Sequence, residues 1–228
     1  PWVVFQRDEN KRGCAHTKNQ GVIAAIDSGA EWIAILDDDC FPLNAQMSLE
    51  YFMQAHWEAL QDIKAPLFQE VTSPPSRGTP YFNKHVLMEV AASMGFWEDV
   101  GDYDAPSQLV RGPRTPMQFF DGYIYARYFP LCGMNLAFKA KWWPWCQFID
   151  VPRFDDIWQG FLWQKEAYAR GCCFNLAGPR VKHSRQSNVW QNLRDESINL
   201  EKNETVWQEI FRAPRTLTYE QLRWFLNL

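Results

Sequence analysis

The stretch Trp32-Ile33-Ala34-Ile35-Leu36-Asp37-Asp38-Asp39 runs an apolar segment directly into three aspartates. A continuous apolar run this short, bounded by a turn before it and by charge after it, reads as a strand buried on both faces. Upstream, Ala15 to Ser28 places Val22, Ile23 and Ile26 on one helical face, with Gly29 as its stop. Trp2 to Phe5 reads as a further short strand, separated from that helix by the polar Gln6 to Gly13. Strand, helix, strand predicts a right-handed βαβ unit within an α/β sheet. The aspartates then fall at a strand's carboxyl end, where open α/β sheets bind ligands.

Downstream, Asn44 to Asp62 has helical spacing, and residues 65–82 read as a long Pro-, Ser- and Gly-rich loop. The sequence predicts a helix over Val86 to Met94, irregular chain from Gly101 to Pro116, and an aromatic segment from Phe119 to Phe129. Asp155-Asp156 opens an amphipathic helix stopped by Gly171, Cys173 to Leu176 reads as a strand, and His183 to Asn188 as a polar loop. Thr218 and Gln221 fit a capping box for a last helix. One domain over 1–228 is expected, with a core over about 1–196 and a helical extension over about 197–228.

The chain has 228 residues and a net charge of −4, with 46% hydrophobic and 22% charged residues, which excludes disorder and a general nucleic-acid binder. Apolar runs reach only about five residues, far below the roughly 20 that span a bilayer. No basic-then-apolar segment opens the sequence, and a cytoplasmic location is the expectation. The six cysteines form no CxxC pair, and the adjacent Cys172 and Cys173 read as reduced, buried thiols. Aromatics stand out at 16%, with 12 Trp. They fit either an aromatic core or a sugar or acceptor platform around Trp142, Trp143, Trp145, Trp158 and Trp163.

Three consecutive carboxylates at a strand end repel one another unless a cation offsets them. Hard oxygen ligands select magnesium or manganese, and such an ion completes its shell with substrate phosphates. An acidic strand end therefore reads as a metal clamp on a nucleotide diphosphate; its plain alternative is a solvated acidic turn. For Asp155-Asp156 the plain alternative is a helix N-terminus favouring negative charge.

Lys18-Asn19-Gln20-Gly21 before the aspartates, and Gly133-Met134-Asn135, Asp155-Asp156 and His183 after them, resemble the motif order of GT-A glycosyltransferases. Longer stretches narrow the likeness: Asp37-Asp38-Asp39-Cys40-Phe41, Asp102 to Val110, Phe129 to Phe138, Arg153 to Gly160 and His183 to Asn188. From about Phe5 to about Glu196 these resemble the reversibly glycosylated polypeptide family, whose plant members are UDP-arabinopyranose mutases.

The resemblance implies a GT-A-like α/β fold, a mixed sheet flanked by helices, acting on a UDP-sugar with Mn2+ or Mg2+. It implies Asp39, Asp37 and His183 as metal ligands, and Lys18, Asp37, Asp38, Asn135, Ser184 and Arg185 as nucleotide-sugar contacts. Asp155 and Asp156 would orient sugar hydroxyls or move a proton, and Arg77, in Arg77-Gly78-Thr79-Pro80, matches the segment that becomes glycosylated in plant members. A second family arginine is Lys84 here, and family members carry a strand, a helix and a strand ahead of the part matching Trp2 to Phe5. Lys84 in place of that arginine and the tryptophans favour sugar transfer from UDP to an acceptor (a glycan, protein, small molecule or modified nucleic-acid base). The alternatives are a pyranose–furanose mutase and a non-catalytic scaffold. A second copy of the chain completes the expected partners.

Overall fold

The computed structural model describes residues 9, 12–43, 47–66, 72–82, 84–112, 119–184 and 188–213. The expected Trp2–Phe5 strand, Arg185 and the capping box at Thr218 and Gln221 lie outside them. The described elements run α1 (Cys14–Asp27), β1 (Trp32–Leu36), β2 (Cys40–Pro42), α2 (Leu49–Ala59), β3 (Ile63–Pro66), β4 (His85–Met88) and β5 (Val90–Asp99). They continue with α3 (Ala105–Arg111), β6 (Tyr123–Ile124), β7 (Asn135–Lys139), a 3-10 helix (Ala140–Trp145), α4 (Asp155–Ala169), β8 (Cys173–His183) and α5 (Val189–Arg212).

The result is a mixed sheet flanked by helices. Its strand order is β1-β7-β5-β8-β2, with β6 also on β8, and β3 pairs with β4 separately. Strands β5 and β8 are parallel, while the β1–β7, β5–β7, β2–β8 and β6–β8 pairs are antiparallel. Strand β1 is where the apolar run places it, but only Ile33 of its residues is buried, so the expectation of burial on both faces is corrected. Helix α2, capped by Ser48 Oγ accepting from the Tyr51 N–H at 3.2 Å, begins later than the Asn44 expected from spacing.

Val86 to Met94 is not a helix. It is β4 followed by the start of β5, a central strand whose Ala91, Ala92, Ser93 and Met94 are buried. Small residues packed on both faces carry no alternation, so pattern alone misassigns them. The segment read as irregular from Gly101 contains α3, whose N-terminus is held by Asp104 Oδ1 accepting from Ser107 N–H at 2.7 Å. Glu196 Oε2 of α5 accepts from Ala105 N–H at 2.7 Å. Helix α5 runs without a break through positions 196 and 197, where a core and an extension were expected to meet.

The core takes in part of the aromatic surplus. Trp163 on α4 packs edge-on against Phe138 of β7 and Phe174 of β8, and Trp158 and Trp163 are both fully buried. Trp142 is also buried and donates Nε1–H to Glu89 Oε1 at 3.2 Å. Trp143 and Trp145 are half-buried against the same cluster, so of the two readings left open by the sequence the packing of these residues favours the aromatic core. Cys172 and Cys173 are free and buried as expected.

The opposite face is covered by α2, whose His56 lies fully buried between Ser93 Oγ and Asn135 Oδ1, each at 2.9 Å. An amide oxygen only accepts, so Nε2 carries the His56 proton and Nδ1 accepts from the serine hydroxyl. Burial outweighs the hydrogen bond to Asn135 and pushes His56 down to about 4. The unfolded chain therefore takes up this proton first, and the contribution is present above the ordinary histidine value and lost as pH falls through that value toward 4. It amounts to up to about 3 kcal/mol. Raised carboxyls elsewhere act in the opposite sense, so the comparison must be with H56Q. Urea unfolding at about pH 7 and about pH 4 should show the wild type losing more stability than H56Q, by that margin.

Candidate functional site

The carboxyl ends of β1, β5 and β8 and the start of β7 meet at one edge of the sheet. Leu36 is in register with Asn135, and Asp99 and Cys40 are both in register with His183. The N-terminus of α4 brings Asp155 and Asp156 to the same edge, because Asp156 Oδ2 accepts from Gly133 N–H, just before β7, at 2.7 Å. The ladder of β1 is prolonged by Asp37 N–H donating to Met134 C=O at 3.0 Å.

Lys18, on α1, ties these parts together. Its Nζ lies 2.8 Å from Asp37 Oδ1, donates to Gly133 C=O at 3.2 Å and sits 5.5 Å above the Phe148 ring. Burial opposes its charge, but Asp37 foremost, with Asp156 among the neighbours, outweighs that and raises the ammonium well above its ordinary value. The sequence marked Lys18 as a nucleotide contact; the structure places it as an internal counter-ion. Next to it, Asn19 donates to Phe148 C=O at 2.9 Å and accepts from Phe148 N–H at 2.8 Å.

Gly133 has no room for a side chain. A Cβ there would stand 2.7 Å from Phe148 Cε1 and 3.3 Å from Asp156 Cβ. Gly133→Ala is expected to cost about 1–3 kcal/mol through forced displacement of Phe148 or α4. It should also disturb the N–H that holds Asp156, and a urea midpoint unchanged from wild type would contradict this placement.

Asp155 and Asp156 are half-buried neighbours. Burial first, then the charge of Asp156, raises the Asp155 carboxyl; burial raises Asp156, opposed by Lys18 and the Gly133 N–H. Such a pair holds a proton toward neutral pH. Asp102 adds a third carboxyl that the site assignment from sequence missed, although it opens one of the family stretches. Surrounding protein, then Asp156, raises it; its open contact with water tempers that shift. Cys132, adjacent to Gly133, directs its thiol to Asp102 Oδ2 at 3.6 Å.

Asp39 and His183 face each other with Oδ2 and Nε2 3.6 Å apart, both largely buried. Ser184 donates its N–H to Asp39 C=O at 3.2 Å, fixing the end of β8 to the acidic turn, and Asp38 is exposed on that turn. The carboxylate suits manganese or magnesium, with substrate phosphates and water supplying further ligands; the imidazole beside it points to manganese rather than magnesium, which prefers oxygen ligands throughout. Asp37 points to Lys18 instead, and among the described residues no group of three or more His, Cys, Asp or Glu side chains is arranged to hold an ion.

Asn135 does not reach the site surface. It is fully buried, with Oδ1 taken by His56 and Nδ2 donating to Pro179 C=O at 2.8 Å, so its role as a sugar contact is corrected to a core hydrogen-bonding one. Arg77 is exposed in a turn closed by Thr79 N–H on Ser76 C=O at 3.1 Å, and no contact among the described residues joins it to the acidic edge. No helix among the described residues is long and apolar enough to cross a membrane.

The chain is similar to probable UDP-arabinopyranose mutase 1 of Pisum sativum, at 29% identity over 199 residues, 80% of this chain and 53% of that protein. It is 28% identical over 200 residues to UDP-arabinopyranose mutase 3 of Arabidopsis thaliana, covering 80% of this chain and 54% of that one. UDP-arabinopyranose mutase 1 of Oryza sativa subsp. japonica is 26% identical over 200 residues, covering 80% and 53% respectively. The chain spans about half the length of these relatives. The sequence profile of the reversibly glycosylated polypeptide family matches residues 21–215, which take in the acidic turn, the Gly133 turn, the α4 acids and His183. On that match, the chain belongs to the reversibly glycosylated polypeptide family.

Proposed function

We propose that this chain acts on a UDP-sugar as a pyranose–furanose mutase, with a divalent cation held by Asp39 and His183. The observation that carries this reading is the raised Asp155–Asp156 pair beside the Asp39–His183 pair in a family whose curated relatives are named UDP-arabinopyranose mutases. Ring contraction of an arabinopyranosyl nucleotide breaks the C1–O bond to the diphosphate, exchanges the O5–C1 ring bond for an O4–C1 bond, and remakes the bond to the same diphosphate. The O4 hydroxyl loses a proton and O5 gains one. Two adjacent carboxyls that hold a proton toward neutrality suit that exchange. A divalent cation held by Asp39 and His183 would supply charge stabilisation for a departing diphosphate.

Of the tryptophans that favoured a separate acceptor, Trp142, Trp158 and Trp163 are core residues, which weakens one of the two arguments for transfer over mutation; the other, Lys84 in place of a family arginine, stands. The test is incubation of the protein with Mn2+ and UDP-arabinopyranose, with no acceptor. The furanose nucleotide sugar should form; no reaction until an acceptor is supplied would overturn the mutase in favour of a transferase. Mn2+ and UDP together should also raise Tm more than either alone, and Asp39→Ala should abolish that rise. No shift in the wild type would favour a scaffold.

A further inference from the structure

Asp99 ends β5 in a left-handed backbone conformation, φ 78, unusual for a residue with a side chain. It is in register with His183 at the end of the parallel strand β8. The next residue, Val100, makes two contacts with that histidine. Its N–H donates to His183 C=O at 3.1 Å, and its C=O accepts from His183 Nδ1 at 2.9 Å. The turn is tight, since a Cβ on Gly101 would stand 2.4 Å from the Tyr103 ring.

A neutral imidazole has one N–H to place. Asp39 Oδ2, 3.6 Å from Nε2, is the stronger acceptor, being a carboxylate. Left to itself, the proton would sit on Nε2, and His183 and Asp39 would close on each other with both metal-donor atoms occupied. The Val100 carbonyl, already at hydrogen-bonding distance from Nδ1, draws the proton to the other nitrogen.

We propose that Asp99 is a positioning residue: its left-handed backbone aims the Val100 carbonyl at His183 Nδ1 and so leaves Nε2 as a bare lone pair facing Asp39, ready for a divalent cation. The cation part rests on the reading of Asp39 and His183 given above; the tautomer part does not. The Asp99 side chain, 3.7 Å from Lys182 Nζ, is not what the device needs. Asparagine and glycine both tolerate left-handed backbone, whereas a β-branched valine resists it.

The test uses the full chain, 15N-labelled and metal-free, at alkaline pH where histidine is neutral. The His183 signals are assigned by their loss in H183Q. Wild type, D99N and D99G should all carry the proton on Nδ1 and bind Mn2+ alike. D99V should move the proton to Nε2 and weaken Mn2+ binding by about tenfold or more; D99A should shift in the same direction by less, and takes its place if D99V does not fold. Unchanged tautomer and Mn2+ affinity in D99V or D99A, or Mn2+ binding weakened in D99G as much as in D99V, would overturn the proposal. An Nε2–H form in a wild type that still binds Mn2+ overturns this proposal alone. An Nδ1–H form in a wild type that binds no Mn2+ overturns the metal assignment.

Discussion

Lys18→Met is expected to destabilise the chain by about 3 kcal/mol, somewhat less than loss of one partner from a fully buried pair, because Asp37 keeps some solvent contact. The lysine side chain is 14% exposed and that of Asp37 28%. Methionine fills the volume beside Phe148 but leaves Asp37 without its cation, Gly133 C=O without its donor and Asp156 without the charge that partly offsets its burial. A protein of this size should then melt roughly 10 °C lower. Adding Asp37→Asn should recover part of the loss, since the remaining partner is no longer a charge. A Lys18→Met protein melting within a degree or two of wild type, or a double variant less stable than the sum of its parts, would show that Lys18 is not the counter-ion described.

If the chain is the mutase proposed above, Asp155→Asn is expected to lower its turnover by about 10²- to 10⁴-fold, the range for loss of a general acid–base group. The Tm rise with Mn2+ and UDP should survive, because Asp39 and His183 are untouched. The pH dependence carries the sign. Burial and the charge of Asp156 hold the Asp155 proton above the ordinary carboxylate range. If one carboxyl gives a proton while its neighbour takes one, the wild-type rate falls when both are protonated and again when both are ionised. The profile is a bell whose limbs belong to the pair, displaced toward neutrality. Asp155→Asn should lose that bell along with the rate. Turnover within a few-fold of wild type, or a profile that is unchanged, would remove the pair from the chemistry.

Elements with a local signature were legible in the sequence. The apolar run into Asp37 marks β1, and Asp155-Asp156 with Gly171 brackets α4. Strand β5 was not, because Ala91-Ala92-Ser93-Met94-Gly95 offers neither β-branched residues nor alternation; it is a strand because it lies in the middle of a sheet. The acidic turn, the α4 acids and His183 were readable as motifs. What joins them was not. Lys18 reaches Gly133 across 115 residues of sequence, and Asp102 meets Cys132 across 30, contacts that only the folded topology creates. Asn135 could not be placed from its motif for the converse reason: in the fold its side chain is taken up by His56 and Pro179 in the core.

The two-way bond between Asn19 and Phe148 reproduces, with one side chain, what a neighbouring strand would offer a peptide. Few side chains can give and receive hydrogen at that separation. Aspartate lacks the donor, serine lacks the reach and glutamine adds a carbon that moves both atoms away. In a saturation library screened for folding, position 19 should therefore behave as though its chemical alphabet held one letter, while exposed Gln20 beside it accepts many. Selection acting there would leave an invariant residue that touches no substrate, and drift in the loop carrying Phe148 would be confined to side chains, with its backbone path held constant.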